Sequence, residues 1–217
     1  FMQNFNIDTA VKRLYEMFVA AVHDEKIRLI EKRDSVKGYV KKLRPNKFKM
    51  AIVKTLYFIF MPVAIGFWYV FKGLRINGRK NIKEIRTGGI IISNHVHDYD
   101  SMMNACATYP RLAVYTAIPE NLEHDSYGNF VRLFGTIPIP RNIDETKVFV
   151  SECTTKVKNG DLVFIYPEGN LLYKYNNLQP FKKGAFHIAH NAMVPIVPTR
   201  INFVKKKKKN GKYKKRI

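Results

Sequence analysis

The chain has 217 residues, 46% of them hydrophobic and 13% aromatic, enough to bury one substantial core and to exclude a disordered tail. Thirty-eight Lys and Arg stand against 17 Asp and Glu, a formal net charge of +21. That balance fits polyanionic partners, an anionic membrane surface or nucleic acid, unless the excess only reflects a Lys-rich proteome. Cys106 and Cys153 form neither a disulfide framework nor a zinc spacing, and the first residues lack the apolar run of a signal peptide.

In chain order, residues 7 to 34 read as a charged amphipathic helix. Val11, Leu14, Tyr15, Phe18, Val22 and Leu29 recur at helical spacing, with Asp8 or Thr9 as caps. Ser35 to Lys83 then contains twelve Lys and Arg and no acid. Inside it lies TLYFIFMPVAIGFWYVF (55 to 71), 17 uncharged residues interrupted by Pro62 and Gly66, with Trp68 and Tyr69 near one end. Seventeen is at the short limit for a bilayer span, and the aromatic pair suits a headgroup boundary. The pattern favours a membrane-embedded hairpin or in-plane helix over a full span or a buried core helix. An anionic surface would repel acids from the flanks, whereas a core helix has no reason to exclude them.

Beyond this the texture is α/β. GGIIIS (88 to 93) reads as a buried strand, Asp100 to Ala107 as a helix, LAVYTAI (112 to 118) as a strand, and GTIPIP (135 to 140) as a short extended piece limited by its prolines. Asn142 to Lys158 is a helix with acids at its start and lysines at its end, closed by Asn159-Gly160. DLVFIYPEG (161 to 169) is strand then turn, Gly184 to Asn191 a helix, and MVPIVPTRI (193 to 201) an extended run. The expected fold is a single mixed or mostly parallel sheet flanked by helices, preceded by an N-terminal helical membrane-anchoring region. The expected division is residues 1–72 as that basic, membrane-associating region, 73–204 as the α/β domain, and 205–217 as a basic tail or hairpin loop. The last segment holds nine Lys and Arg among thirteen residues.

Six positions carry the chemistry: His95-Val96-His97-Asp98-Tyr99-Asp100, directly after the first strand. A metal site is disfavoured, because an HxHxDH pattern would need Asp and His where Tyr99 and Asp100 stand. His187 and His190 lack an HExxH context. A polar turn without chemistry is the plain alternative. The third reading is an acid–base pair: a carboxylate in the first helical turn reaching back to hold an imidazole at the strand's end. No Ser or Cys sits in a nucleophile elbow, so such a pair would deprotonate a substrate hydroxyl directly. Against a nucleic-acid role, the aromatics concentrate in one apolar block rather than interleaving with Lys and Arg.

Asn94-His95 followed by Asp100 resembles the NHx4D motif of glycerolipid acyltransferases, the lysophosphatidic acid acyltransferase family. GTIPIPR (135 to 141), YPEG (166 to 169) and VPIVP (194 to 198) resemble that family's further blocks, in its order, across roughly residues 75 to 201. The resemblance implies His95 as general base and Asp100 as its orienting partner. Arg141 would bind the acceptor's phosphate, and Asn94, Glu168 and Gly169 would shape the acceptor site. It implies a donor that is acyl-CoA or an acyl carrier protein, a lysophospholipid acceptor, no bound cofactor, no metal and no acyl-enzyme. Amides at the start of the helix after His95 would stabilise the oxyanion, and the acyl chain would lie in an apolar groove between the membrane helices and the sheet. It also implies monotopic attachment to a phospholipid membrane on its cytoplasmic face, with no nucleic-acid partner. The pattern departs from the family at three places. His97 stands for a serine, Thr116 lies where a lysine is usual, and Asn170-Leu171-Leu172 replaces Thr-Arg-Ser, so Lys174, Lys182 or Lys183 would have to supply the second basic ligand. These departures open a second acceptor class, another lipid. Relatives usually continue into further strands, so a C-terminal portion is expected beyond Ile217.

Overall fold

The computed structural model describes residues 7–42, 47–123, 125–207 and 213–216. It divides into two compact units, Phe1–Lys41 and Lys42–Ile217. The first is built on a single helix, α1 (Ile7–Lys42), eight residues longer than its periodicity suggests. Val22 is exposed, and the side chains of Val11, Leu14, Tyr15, Phe18 and Leu29 lie outside the described residues.

The second unit begins with α2 (Lys47–Phe67), extended by one π-helical turn (Trp68–Lys72) that stops at Gly73 in the left-handed conformation. No hairpin forms. Pro62 removes one backbone donor inside α2 without ending it, and Gly66 is not a turn. Met50–Lys72 is 23 residues with mean hydropathy 1.9, long and apolar enough to cross a membrane by length and composition. The unit boundary falls at Lys41–Lys42, where the sequence suggests a division after Lys72. The reason is packing: Tyr57, Met61 and Trp68 share one face of α2 and join a core cluster with Val96, Met103, Cys106 and Ile201. Away from that face the helix is bare, with Ile59, Phe60, Val63, Phe67, Val70 and Phe71 all 47–70% exposed.

The remaining elements are α3 (Arg79–Glu84), β1 (Gly89–Ser93), α4 (Asp100–Thr108), β2 (Ala113–Ala117), α5 (Pro119–Glu123), α6 (Asp125–Leu133), β3 (Ile137–Pro138), α7 (Ile143–Lys158), β4 (Leu162–Ile165), α8 (Gly184–Ala192) and β5 (Ile196–Thr199). Strands β6 (Val204–Lys207) and β7 (Tyr213–Arg216) form a separate antiparallel pair. The basic segment is thus a hairpin at its described ends, while residues 208–212 and 217 lie outside the described residues. Helices α3, α5 and α6 are additions to the expected elements.

All five core strands are parallel, in the order β3-β2-β4-β1-β5. The central pair is the reason. Parallel sheets covered on both faces require continuous apolar strands, and Gly89–Ser93 and Leu162–Phe164 are buried throughout. Ile90, Val163, Ile188 and Val157 fill one face between α7 and α8; Ile91, Phe164, Ile82 and Val197 fill the other.

Candidate active site

In parallel sheets the loops after the C-terminal strand ends meet on one side, and register decides which residues face each other. Ile92 pairs with Ile165, so His95 and Glu168, each three residues further on, reach the same level. Ser93 pairs with Thr199 on the other side, which brings Asn94 towards Ile201. Three of the four blocks read from the sequence therefore converge at the ends of β4, β1 and β5.

The turn from β1 into α4 folds Asp100 back onto the segment before it. His95 Nδ1 lies 2.9 Å from Asp100 Oδ2. The same oxygen accepts from the backbone amides of Val96 (2.6 Å) and His97 (3.0 Å). The Asp100 side chain is 1% exposed and that of His95 28% exposed. One buried carboxylate oxygen thus holds both the turn and the ring, and charge-assisted bonds of this kind are the strong ones. With Nδ1–H donated to Asp100, the imidazole keeps its lone pair on Nε2.

Tyr166 supplies a floor. Its ring stacks on His95 at 4.3 Å between centroids, 18° from parallel. Its hydroxyl lies 3.4 Å from Ser101 Oγ, and burial pushes the phenol well above its usual range, so it stays protonated. The sequence contains this tyrosine within YPEG, but nothing in its spacing marks it as a partner of His95.

Glu168 and Asn94 are structural ties. Glu168, 3% exposed, accepts from the His95 amide (3.1 Å), the Gln179 amide (3.1 Å) and Gln179 Nε2 (3.2 Å). Asn94, 1% exposed, donates to Ile201 O (2.9 Å) and accepts from Ile201 N (2.8 Å), imitating a strand pairing. Asn94 is engaged by the Ile201 backbone, and Glu168 by two backbone amides and the Gln179 side chain. Leu172 and Lys174 donate their amides to the carbonyls of His95 and Val96, so the loop after Gly169 backs the turn that carries His95. Gln179, Leu172 and Lys174 carry no sequence signal for this role.

Gly169 has φ +73°, and an added Cβ would run into the end of the Lys182 side chain. Of the three lysines that could stand for the missing basic ligand, Lys182 is therefore the one laid across the PEG turn. Lys174 Nζ sits 4.4 Å from the Tyr173 ring centroid instead. Thr116 is buried in β2 with its hydroxyl on Phe164 O (3.2 Å), so it faces the sheet.

Arg141 stands apart from this group. It is half exposed and donates to Glu120 Oε1 (2.8 Å) and Glu123 Oε1 (3.5 Å) of α5, while its amide donates to Glu145 (2.8 Å). The Glu120 hydrogen bond holds the guanidinium above its ordinary value. Among the described residues no three His, Cys, Asp or Glu side chains stand together as a metal site.

An aromatic wall borders the turn. The His97 ring stacks on Tyr99 (5.3 Å) and meets Tyr173 (5.1 Å), and Tyr99 meets Trp68 at the end of α2 (5.7 Å). His97 Nδ1 accepts from the Tyr99 amide (3.2 Å).

The family model described as Acyltransferase matches residues 73–202, more than half of the chain. The human 1-acyl-sn-glycerol-3-phosphate acyltransferase beta is 36% identical over 140 residues, covering 60% of this chain and 49% of that one. The chloroplastic 1-acyl-sn-glycerol-3-phosphate acyltransferase BAT2 of Brassica napus is 31% identical over 135 residues, 60% of this chain and 37% of that one. This chain therefore spans about half or less of these relatives' length. The crystal structure of the 1-acyl-sn-glycerophosphate (LPA) acyltransferase PlsC from Thermotoga maritima shares the fold, with TM-score 0.53, 19% identity, and coverage of 89% and 82% of the two chains.

Proposed function

This chain belongs to the acyltransferase family, and on that premise we propose that it is a membrane-associated O-acyltransferase using acyl-CoA or an acyl carrier protein as donor. The acceptor is a lysophospholipid, lysophosphatidic acid giving phosphatidic acid. The observation that carries the reading is the 2.9 Å pair of His95 Nδ1 and the buried Asp100 Oδ2, which leaves Nε2 as a base beside the open end of the sheet. Nε2 takes the acceptor's hydroxyl proton as the oxygen attacks the thioester carbonyl. The ester C–O bond forms, the C–S bond breaks, and the imidazolium, steadied by Asp100, returns its proton to the leaving thiolate. No electron acceptor or cofactor enters the balance, and His95 and Asp100 are the catalytic residues.

The amides of Val96 and His97 are occupied by Asp100, so the developing oxyanion falls to the first-turn amides of α4, those of Ser101 and Met102. Glu168, Gly169 and Asn94 hold the acceptor side of the site in shape. Arg141 takes the acceptor phosphate once Glu120 and Glu123 release it, with Lys182 as the second cation.

Membrane attachment is monotopic, on the cytoplasmic face. A helix with one face packed on the domain and the other apolar and bare is suited to lying in a membrane surface. Leu171, Leu172, Tyr173, Tyr175 and Leu178, all at least 36% exposed beside the catalytic turn, extend that apolar surface towards His95.

The test is thiol release by the detergent-solubilised chain, offered acyl-CoA and acyl carrier protein donors against a panel of lysolipids. Release that depends on lysophosphatidic acid and leaves no acyl mass on the protein supports the reading. Release with another lysolipid alone would move the acceptor assignment, and an acyl-enzyme would overturn the mechanism.

A further inference from the structure

On the α3–α4 side of edge strand β5 lies a cavity of about 480 Å³ that contains none of His95, Asp100, Tyr166 or Glu168. Its polar lining is strongly one-sided. Arg75, Arg79 and Arg200 border it and no Asp or Glu does. Among the described residues these arginines make no ion pair. Arg75 donates to the carbonyls of Tyr69 and Leu74, Arg79 to that of Tyr109, and Arg200 to that of Asn176. One buried donor at this cavity, Arg79 Nε, has no hydrogen-bond partner. A buried donor without an acceptor is rare and unfavourable, and this one is suited to the oxygen of an anion.

Part of the remaining lining is neutral and polar, such as Asn77 and Asn81, and the larger part is apolar, with Ile82, Ile85, Met103, Ile196 and Val197 among it. A small inorganic anion leaves such a surface unused; a phosphate ester carrying an apolar portion covers it. Position narrows the class further. Arg75 and Arg79 follow within seven residues of Lys72, where the apolar helix ends, and the Arg75 guanidinium lies 3.9 Å from the Tyr69 ring centroid. That is where headgroups sit if α2 lies in a membrane surface.

We propose that this cavity is a second lipid site, which binds the phosphate headgroup of an anionic glycerophospholipid and is separate from the acceptor site at His95 and Arg141. It rests on the membrane placement proposed for α2 but not on the chemistry of His95.

The test is equilibrium dialysis of the full His95→Ala chain in neutral detergent, with dioctanoyl phosphatidylglycerol, which is not a product of the proposed reaction. Saturable binding at least tenfold tighter than that of dioctanoyl phosphatidylcholine is expected. Arg79→Gln and Arg200→Gln each weaken it at least fivefold, whereas Lys80→Gln and Arg86→Gln, outside the cavity, change it less than twofold. Arg200 is exposed, so its variant keeps the test alive if Arg79→Gln does not fold. Unchanged binding in both arginine variants overturns the proposal. Displacement by submillimolar inorganic phosphate, or by coenzyme A with no lipid preference, reassigns the cavity to phosphate or to the donor and also overturns it. Because the assay needs no turnover, absence of acyl transfer counts against the proposed function alone.

Discussion

The turn that carries His95 and the corner that carries Arg141 are built in opposite ways. Asp100 is buried, and one of its oxygens meets three donors from its own turn; Glu168 and the loop after Gly169 brace that turn from outside. Arg141 is half exposed and holds two acids that are themselves about half exposed or more. Exposed pairs exchange readily with solvent and with other anions. Under the proposed function the difference separates rigid chemistry from exchangeable recognition: base geometry must be fixed before substrate arrives, whereas a phosphate must be able to displace what holds its ligand.

The largest expected effect lies in the dyad. His95→Ala should lower kcat by roughly 10²–10⁴-fold, and Asp100→Asn by a similar factor through loss of the tautomer and the charge, measured as acceptor-dependent thiol release. Next comes the brace. Glu168→Ala leaves the His95 and Gln179 amides without their acceptor and should cost about 2–4 kcal/mol in chemical denaturation, with kcat falling as the turn loosens. A smaller, different signature is expected from the corner. Arg141→Ala should raise KM for a phosphorylated acceptor about tenfold with kcat and Tm nearly unchanged. Glu120→Gln with Glu123→Gln should lower that KM by about two- to threefold, because the guanidinium no longer has to be released. Equal KM in all of these would erase the contrast between the two regions.

The smallest effect concerns the buried thiols. Burial pushes Cys106 to about 11 and Cys153 to about 12. The folded chain therefore keeps both protonated while the unfolded chain ionises near its ordinary value of about 8.5. Their contribution to stability is complete below about pH 8.5 and is lost as pH rises towards 11. Iodoacetamide at pH 8 should label neither thiol in the native protein and both in denaturant, read by intact mass.

What was legible in the sequence follows interaction range. The strand, turn and helix from Gly89 to Thr108 are a local pattern, and a five-residue separation is short enough to bring Asp100 onto His95. The parallel core was readable from unbroken apolar runs such as Ile90–Ile92 and Leu162–Phe164. Two features were not. In α2 the buried stripe Tyr57, Met61, Trp68 is hidden in a segment apolar on all sides, and Pro62 reads as a break although a helix loses only one hydrogen bond there. Helices α5 and α6 are hidden by polarity and by Gly128, which looks like a loop residue. That glycine is required because an added Cβ would collide with the Leu122 carbonyl. In the site, Glu168 was visible but its partner Gln179 was not, since it stands eleven positions further on across an irregular loop and no periodicity links the two.

The measurement that bears most directly on the dyad is the initial rate of lysophosphatidate-dependent thiol release from acyl-CoA or an acyl carrier protein, for the intact chain beside His95→Ala. A base at Nε2 requires a rate in the intact chain that the variant loses by at least a hundredfold while its fold and Tm are kept. Equal rates in the two proteins would contradict it, and would leave the buried pair of His95 and Asp100 as a structural latch of the turn.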